Sequence, residues 1–176
     1  GDRTMTSIIK VDTLQKANGA TPTAADLGIS GQHILQIVSH SITSSVSTSS
    51  STAVALGTAG SITTTRANSK LLINTTIPIQ VSSSGNGRAV VSLRHSVNSY
   101  TTELERHVAA NYPNSNSGWQ QVSNGFNALH TPEVASGTTI TYKIYALKNL
   151  GSNAVYLADT WGQSPHYRCT IMEIAG

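Results

Sequence analysis

Charge is the scarcest ingredient of this sequence. Only 11% of its 176 residues are Asp, Glu, Lys or Arg, against roughly a quarter in an ordinary globular chain. The basic residues are scattered from Arg3 to Arg168, without a run and without interleaved aromatics. A nucleic-acid partner is not expected from such a pattern, because a phosphate backbone is held by clustered cations. No stretch approaches the roughly 20 apolar residues of a membrane span, so membrane insertion is not expected either. Cysteine is almost absent: Cys169 stands alone and cannot form an internal disulfide. It reads as a small apolar residue in a strand.

Reactive groups are equally sparse. The carboxylates are Asp2, Asp12, Asp26, Glu103, Glu105, Glu133, Asp159 and Glu173, and Glu103 and Glu105 are their one close pair. On a strand these two would share a face, as a glycosidase dyad requires, but beside Arg106 they read more simply as a solvated stretch. No GxSxG elbow and no glycine-rich phosphate loop is present. The histidines, His33, His40, His95, His107, His130 and His166, form no HxH, HExxH or Cys/His cluster. The expectation is a protein without enzymatic activity, metal or cofactor.

Ser, Thr, Asn and Gly fill the space that charge leaves, and the pattern beneath them is period-two. In "KLLINTTIPIQV", Leu71, Ile73, Thr75, Ile77, Ile79 and Val81 alternate with Asn74, Thr76, Pro78 and Gln80. Pro78 cannot donate to a ladder and points to an edge or a bulge. "RAVVSLRHS" follows after a turn at Asn86-Gly87 and reads as the second arm of a hairpin. "TTITYKIYALK" and "NAVYLAD" read as another hairpin. "HILQIVSHSITSSV" reads as one long strand, "SITTT" as a short one, and "RCTIMEI" as the last. The Ser/Thr-rich stretch Ser41 to Thr52 reads as strand and loop. Thr101 to Gly137 reads as a long, turn-rich loop, with one strand around Trp119–Val122 and a capping-box helix over 102–110 as an option. Seven or eight short strands between turn signals predict an all-β jelly roll or β-sandwich over residues 31–176. Residues 1–30 form a separate opening segment.

Two loops carry the side chains that recognition uses. "NYPNSNSGWQQVSNGFN" supplies Tyr112 and Trp119 beside Gln120 and Asn124, and "DTWGQSPHYR" supplies Trp161, His166 and Tyr167. Aromatic faces stack on the C–H patches of sugars while amides read their hydroxyls, and such loops also make adaptable protein-binding surfaces. Trp119 and Trp161 could equally serve as core or interface residues.

The order of motifs, an opening "SIIKVDTLQ", then "SITTTRANSKLLI", "TTITYKIYAL" and a terminal "TIMEIAG", resembles the small tail-fibre-like proteins of marine bacteriophages, notably those of cyanobacteria. Their chains commonly open with "IKVDT(I/L)Q" and close with an "LMEI"-type strand, and the resemblance spans Ser7 to Gly176. It implies a virion structural protein, a tail fibre or fibre tip that binds a host surface glycan or protein and works as a homotrimer. A capsid decoration or head-fibre protein is the alternative. Its other partners would be tail, baseplate or capsid proteins.

Under this resemblance Ile8, Ile9, Val11 and Leu14 would pack against neighbouring subunits or another virion protein. Their alternative is a first edge strand on the chain's own sandwich. Ile171, Met172 and Ile174 would lie near the axis of a trimer of tumour-necrosis-factor or C1q type, the last strand being apolar on both faces. Glu173 would be either a buried carboxylate needing a partner such as Arg168 or an Arg of another subunit, or a residue at a solvated strand end.

Overall fold

A computed structural model describes residues 15, 19–21, 33–42, 46–83, 87–111, 118–150, 154–157 and 167–176. The chain divides into two units, Gly1–Gln32 and His33–Gly176, and the fold below is that of the second. Ile8, Ile9, Val11 and Leu14 lie outside the described residues. In chain order the strands are β1 (Ile34–Ile42), β2 (Val46–Thr48), β3 (Val54–Thr63), β4 (Lys70–Ser83), β5 (Gly87–His95), β6 (Glu103–Asn111), β7 (Gly118–His130), β8 (Thr139–Leu150), β9 (Val155–Leu157) and β10 (Tyr167–Ile174). A 3-10 turn at Ser96–Asn98 is the one helical piece among the described residues.

Two antiparallel sheets result. In the first, β4 pairs with β7 along one side. On its other side it pairs with β10 and then β9, which carry β1 and β2 outside them. The second has the order β3-β8-β5-β6. The alternation read from the sequence is the alternation that is buried: Leu71, Ile73, Thr75, Ile77, Ile79 and Val81 of β4 all point inward. Ala89, Val91 and Leu93 of β5 and Ile140, Tyr142, Ile144 and Ala146 of β8 meet them in one core. At roughly 1.5–3 kcal/mol for each large buried side chain, this shared core dominates the stabilisation. The all-β sandwich expected from the sequence is therefore the architecture found.

Both expected hairpins are corrected. β4 lies in the first sheet and β5 in the second; β8 lies in the second and β9 in the first. Alternation fixes which residues are buried. It does not distinguish two strands side by side in one sheet from two strands facing each other across a core, because both arrangements bury the same face. The long strand from His33 is likewise two, β1 on β10 and β2 on β9. Pro78 sits in a central strand, not at an edge. On the side of β4 away from β7, pairing with β10 stops at Thr76 and pairing with β9 resumes at Ile79. A residue without an N–H is tolerated at such a gap in the pairing.

The long loop and optional helix of Thr101–Gly137 are corrected too. Most of that stretch is β6 and β7. Phe126, Ala128 and His130 are buried and alternate with exposed Asn127 and Leu129. Small and polar residues on the inward face hid this alternation.

Side chains close both open edges of the sandwich. At one edge His40 Nε2 of β1 lies 2.7 Å from the Ser61 carbonyl oxygen of β3. This approach makes Gly60 necessary, since a Cβ there would stand 2.6 Å from His40 Cδ2. At the other edge the Asn127 N–H of β7 donates to Glu105 Oε2 of β6 at 2.8 Å, and the His107 and Phe126 rings meet at 5.0 Å, tilted by 60°.

Candidate functional site

The residues expected to bind fall into three groups. Tyr112, Trp161 and His166 lie outside the described residues. Trp119, Gln120 and Asn124 belong to strand β7, which contains and extends the strand expected around Trp119–Val122, and stand opposite Ser82, Val81 and Ile77 of β4. Tyr167 opens β10 opposite Ile42. Of the expected subunit contacts, Ile171 is fully buried in the chain's own core and has no surface to offer a neighbour. Its inward position on β10 is the reason.

Met172 and Ile174 lie on the outward face of β10 and are half-buried. Met172 has Ile37 of β1 on one side and Leu72 of β4 on the other, and Leu72 faces Leu129 of β7. The four form one apolar row across the outside of the first sheet. Its two ends, Ile37 and Leu129, are 57% and 60% exposed. Single exposed apolar side chains are ordinary, whereas an aligned row across four strands is a contiguous patch.

The outside of the second sheet has the opposite character. β5 and β8 pair so that Ser92 faces Tyr145 and Arg94 faces Lys143. Two cations directly opposite repel each other. Here each lies over a tyrosine ring: the Arg94 guanidinium is 4.7 Å from the Tyr145 centroid, and Lys143 Nζ is 4.6 Å from that of Tyr100. The two rings are 6.1 Å apart. Arg94 is fully engaged: it donates to Glu103 Oε1 at 2.9 Å, to the Tyr100 carbonyl at 3.3 Å and to Ser92 Oγ at 3.3 Å. Arg106, 55% exposed at its side chain, approaches Glu103 at 3.9 Å. Lys143 has no carboxylate partner among the described residues.

Backbone strain positions Tyr100. Ser99 and Tyr100 are consecutive non-glycine residues with φ of 55° and 63°, a conformation costing about 1–2 kcal/mol per residue. The Tyr100 N–H bonds to the His95 carbonyl at 3.0 Å and the Ser99 N–H to Ser96 at 3.0 Å. Sequence reasoning missed this cluster. The period-two pattern of "YKIY" and "SLR" does put Lys143, Tyr145, Ser92 and Arg94 outward. With β5 assigned to β4, however, they could not be paired. Nothing in the sequence signals the left-handed turn that brings Tyr100 over them.

The close carboxylate pair does not form a dyad. A register shift at Leu93/Arg94 sets Glu103 opposite Arg94 and Glu105 opposite Leu93, so the two occupy opposite faces. Glu103 is bound to Arg94. Glu105 is bound to the Asn127 N–H and, at 2.8 Å, to His107 Nε2.

Two buried polar centres support the scaffold. Glu173 is fully buried, and the groups that satisfy it lie within its own chain, Arg168 not among them. Oε1 accepts the N–H groups of Thr65 (2.9 Å) and Arg66 (3.1 Å), and Oε2 accepts Thr65 Oγ1 (2.9 Å) and Gln36 Nε2 (2.6 Å). Burial alone would raise its pKa. Hydrogen bonds from Gln36, the Thr65 backbone, Ser69 and the Thr65 hydroxyl overcome this and hold it at about 2. At the other centre the His95 and His130 rings are in contact, 4.1 Å apart and tilted by 43°, and His130 Nδ1 lies 2.8 Å from the Tyr142 hydroxyl. Burial lowers both histidines, His130 to about 4 with help from His95. Burial, reinforced by Cys169, raises Tyr142. No group of three or more His, Cys, Asp or Glu among the described residues could hold a metal ion. None of the described helical segments is long and apolar enough to cross a membrane.

No family model and no curated protein matches the chain. Among solved structures it is similar to a chain of the structure of infectious bursal disease virus, Gx strain, at 16% identity and a TM-score of 0.37. The match covers 80% of this chain and 36% of that one, so this chain spans little more than a third of the viral chain's length.

Proposed function

We propose that this chain is a structural protein of a bacteriophage virion, a tail fibre or fibre tip that binds a host surface receptor, a glycan, without covalent chemistry. The observation that carries the reading is the contrast between its two outer faces. The aligned row Ile37–Met172–Leu72–Leu129 offers a surface for assembly. The tyrosine and cation cluster on the other sheet offers a surface for recognition. Assembly as a homotrimer sets several such surfaces side by side, and avidity then makes a weak single site sufficient. The sequence resemblance to tail-fibre-like phage proteins supports the same reading.

Two measurements on the full chain test it. Light scattering after size exclusion should give the mass of a trimer, and Leu129→Ser should reduce it to a monomer without changing the fold. Purified trimer added to host cells should compete with phage and slow its adsorption. A wild-type chain that remains monomeric at all concentrations refutes the assembly. A trimer that leaves adsorption unchanged at saturating concentration favours a capsid decoration or head-fibre protein.

A further inference from the structure

We infer that the outer face of the second sheet, built from Arg94, Tyr100, Arg106, Lys143 and Tyr145, is a binding site for an acidic saccharide. Its carboxylate or sulfate would sit against Lys143 and Arg106, with a sugar ring against the tyrosines. The inference rests on the attachment reading and names its ligand class.

The charge balance of the face supports an anion. Among the described residues Arg94, Arg106 and Lys143 share it with one carboxylate, Glu103, which is bound to Arg94 at 2.9 Å and lies 3.9 Å from Arg106. Lys143 is held in place by the Tyr100 ring at 4.6 Å and has no carboxylate partner among the described residues. A cation fixed without a counter-charge is one that a ligand can neutralise with a charge-assisted hydrogen bond. The site is also built before any ligand arrives. Tyr100 stands in a strained backbone turn closed by its bond to His95, and Arg94 ties that turn to Glu103 through its carbonyl contact with Tyr100. Strain kept at a half-buried aromatic on the outer face points to use of that side chain.

The surroundings choose a saccharide over other anions. Thr58 and Ser61 of β3 stand opposite Lys143 and Thr141, and Thr101 and Thr102 follow Tyr100 in the chain. Neutral hydroxyls beside one uncompensated cation match a hydroxyl-rich ligand carrying an isolated negative charge. A nucleic acid needs a track of cations, which this face lacks.

The test uses the full chain as purified, on an array of matched oligosaccharides in neutral, uronate-bearing and sulfate-bearing forms. Wild type should be retained on acidic forms alone, less so at higher salt. Retention on uronate or on sulfate identifies the acid group. Lys143→Gln should weaken binding about tenfold or more, and Lys143→Arg should retain most of it. Tyr100→Gly, which suits the positive φ and so leaves folding intact, should also lose binding. Equal retention on neutral and acidic forms overturns the inference, as does unchanged binding by Lys143→Gln and Tyr100→Gly. Host-cell binding is measured in parallel. Cells bound without any acidic glycan retained refute the ligand class and leave attachment standing, whereas loss of both refutes the two together.

Discussion

Replacing Glu173 with Gln should unmask how much one buried carboxylate holds together. Its two oxygens gather the turn at Thr65–Arg66, the Thr65 hydroxyl and the Gln36 amide. Gln36 in turn reaches the Thr63 carbonyl at 2.6 Å. The last strand is thereby pinned to β1 and to the exit of β3. The carboxyl is held at about 2, against 4.5 for the free group, so its charge contributes about 3 kcal/mol at neutral pH. The variant preserves volume and removes the charge. At pH 7 it should lose about 3 kcal/mol, or about 10 °C in Tm for a domain of this size.

The sign of the pH dependence gives a second, sharper reading. A carboxylate with a lowered folded pKa contributes fully above its unfolded pKa and loses that contribution as pH falls through the folded one. The gap between wild type and variant should stay constant from pH 7 to about 5, then shrink to less than half by about pH 3. Urea unfolding followed by circular dichroism at each pH measures it, and terms common to both proteins, such as the histidines, cancel in the difference. A gap under about 1 kcal/mol at pH 7, or one that does not narrow in acid, would refute the reasoning.

Three further outcomes are expected. His130 and His95 bind protons more weakly folded than unfolded, so stability should fall as pH drops below about 6.5. For His130 the loss continues to about pH 4 and reaches about 3 kcal/mol; His130→Leu should flatten this part of the curve. Gly60→Ala should destabilise by about 1–3 kcal/mol in the same urea assay, because the new methyl displaces the His40 ring that clips β1 to β3. Cys169 is fully buried and its thiol is pushed up to about 12. A colorimetric thiol reagent at pH 8 should therefore react with the native protein only as fast as it unfolds, and a fast stoichiometric reaction would place the thiol elsewhere.

The inward face of the sandwich was legible because its strongest strands repeat cleanly. Every inward residue read in β4 is buried, and Cys169, Ile171 and Glu173 share the buried face of β10. Sheet membership was not legible, since Asn86-Gly87 and Asn149–Ser152 read as hairpin turns yet join strands of different sheets. The β6–β7 stretch escaped because its inward positions include Ala128 and His130, which carry little hydrophobic signal. The sequence leaves Glu173 as either a buried carboxylate in need of a partner or a residue at a solvated strand end, and the structure buries it. That its partners are backbone N–H groups depends on the turn at Thr65–Arg66 folding back on β10, a long-range contact without a local signature. The tyrosine and cation cluster was half legible: its outward residues could be read strand by strand, but their company depends on register and on the left-handed turn at Ser99-Tyr100.

Immunogold electron microscopy of intact particles, with an antibody raised against this chain, tests the central claim most directly. A tail fibre or fibre tip predicts gold at the tail or baseplate, with several labels per particle. Gold confined to the head, or particles that carry none, would contradict it.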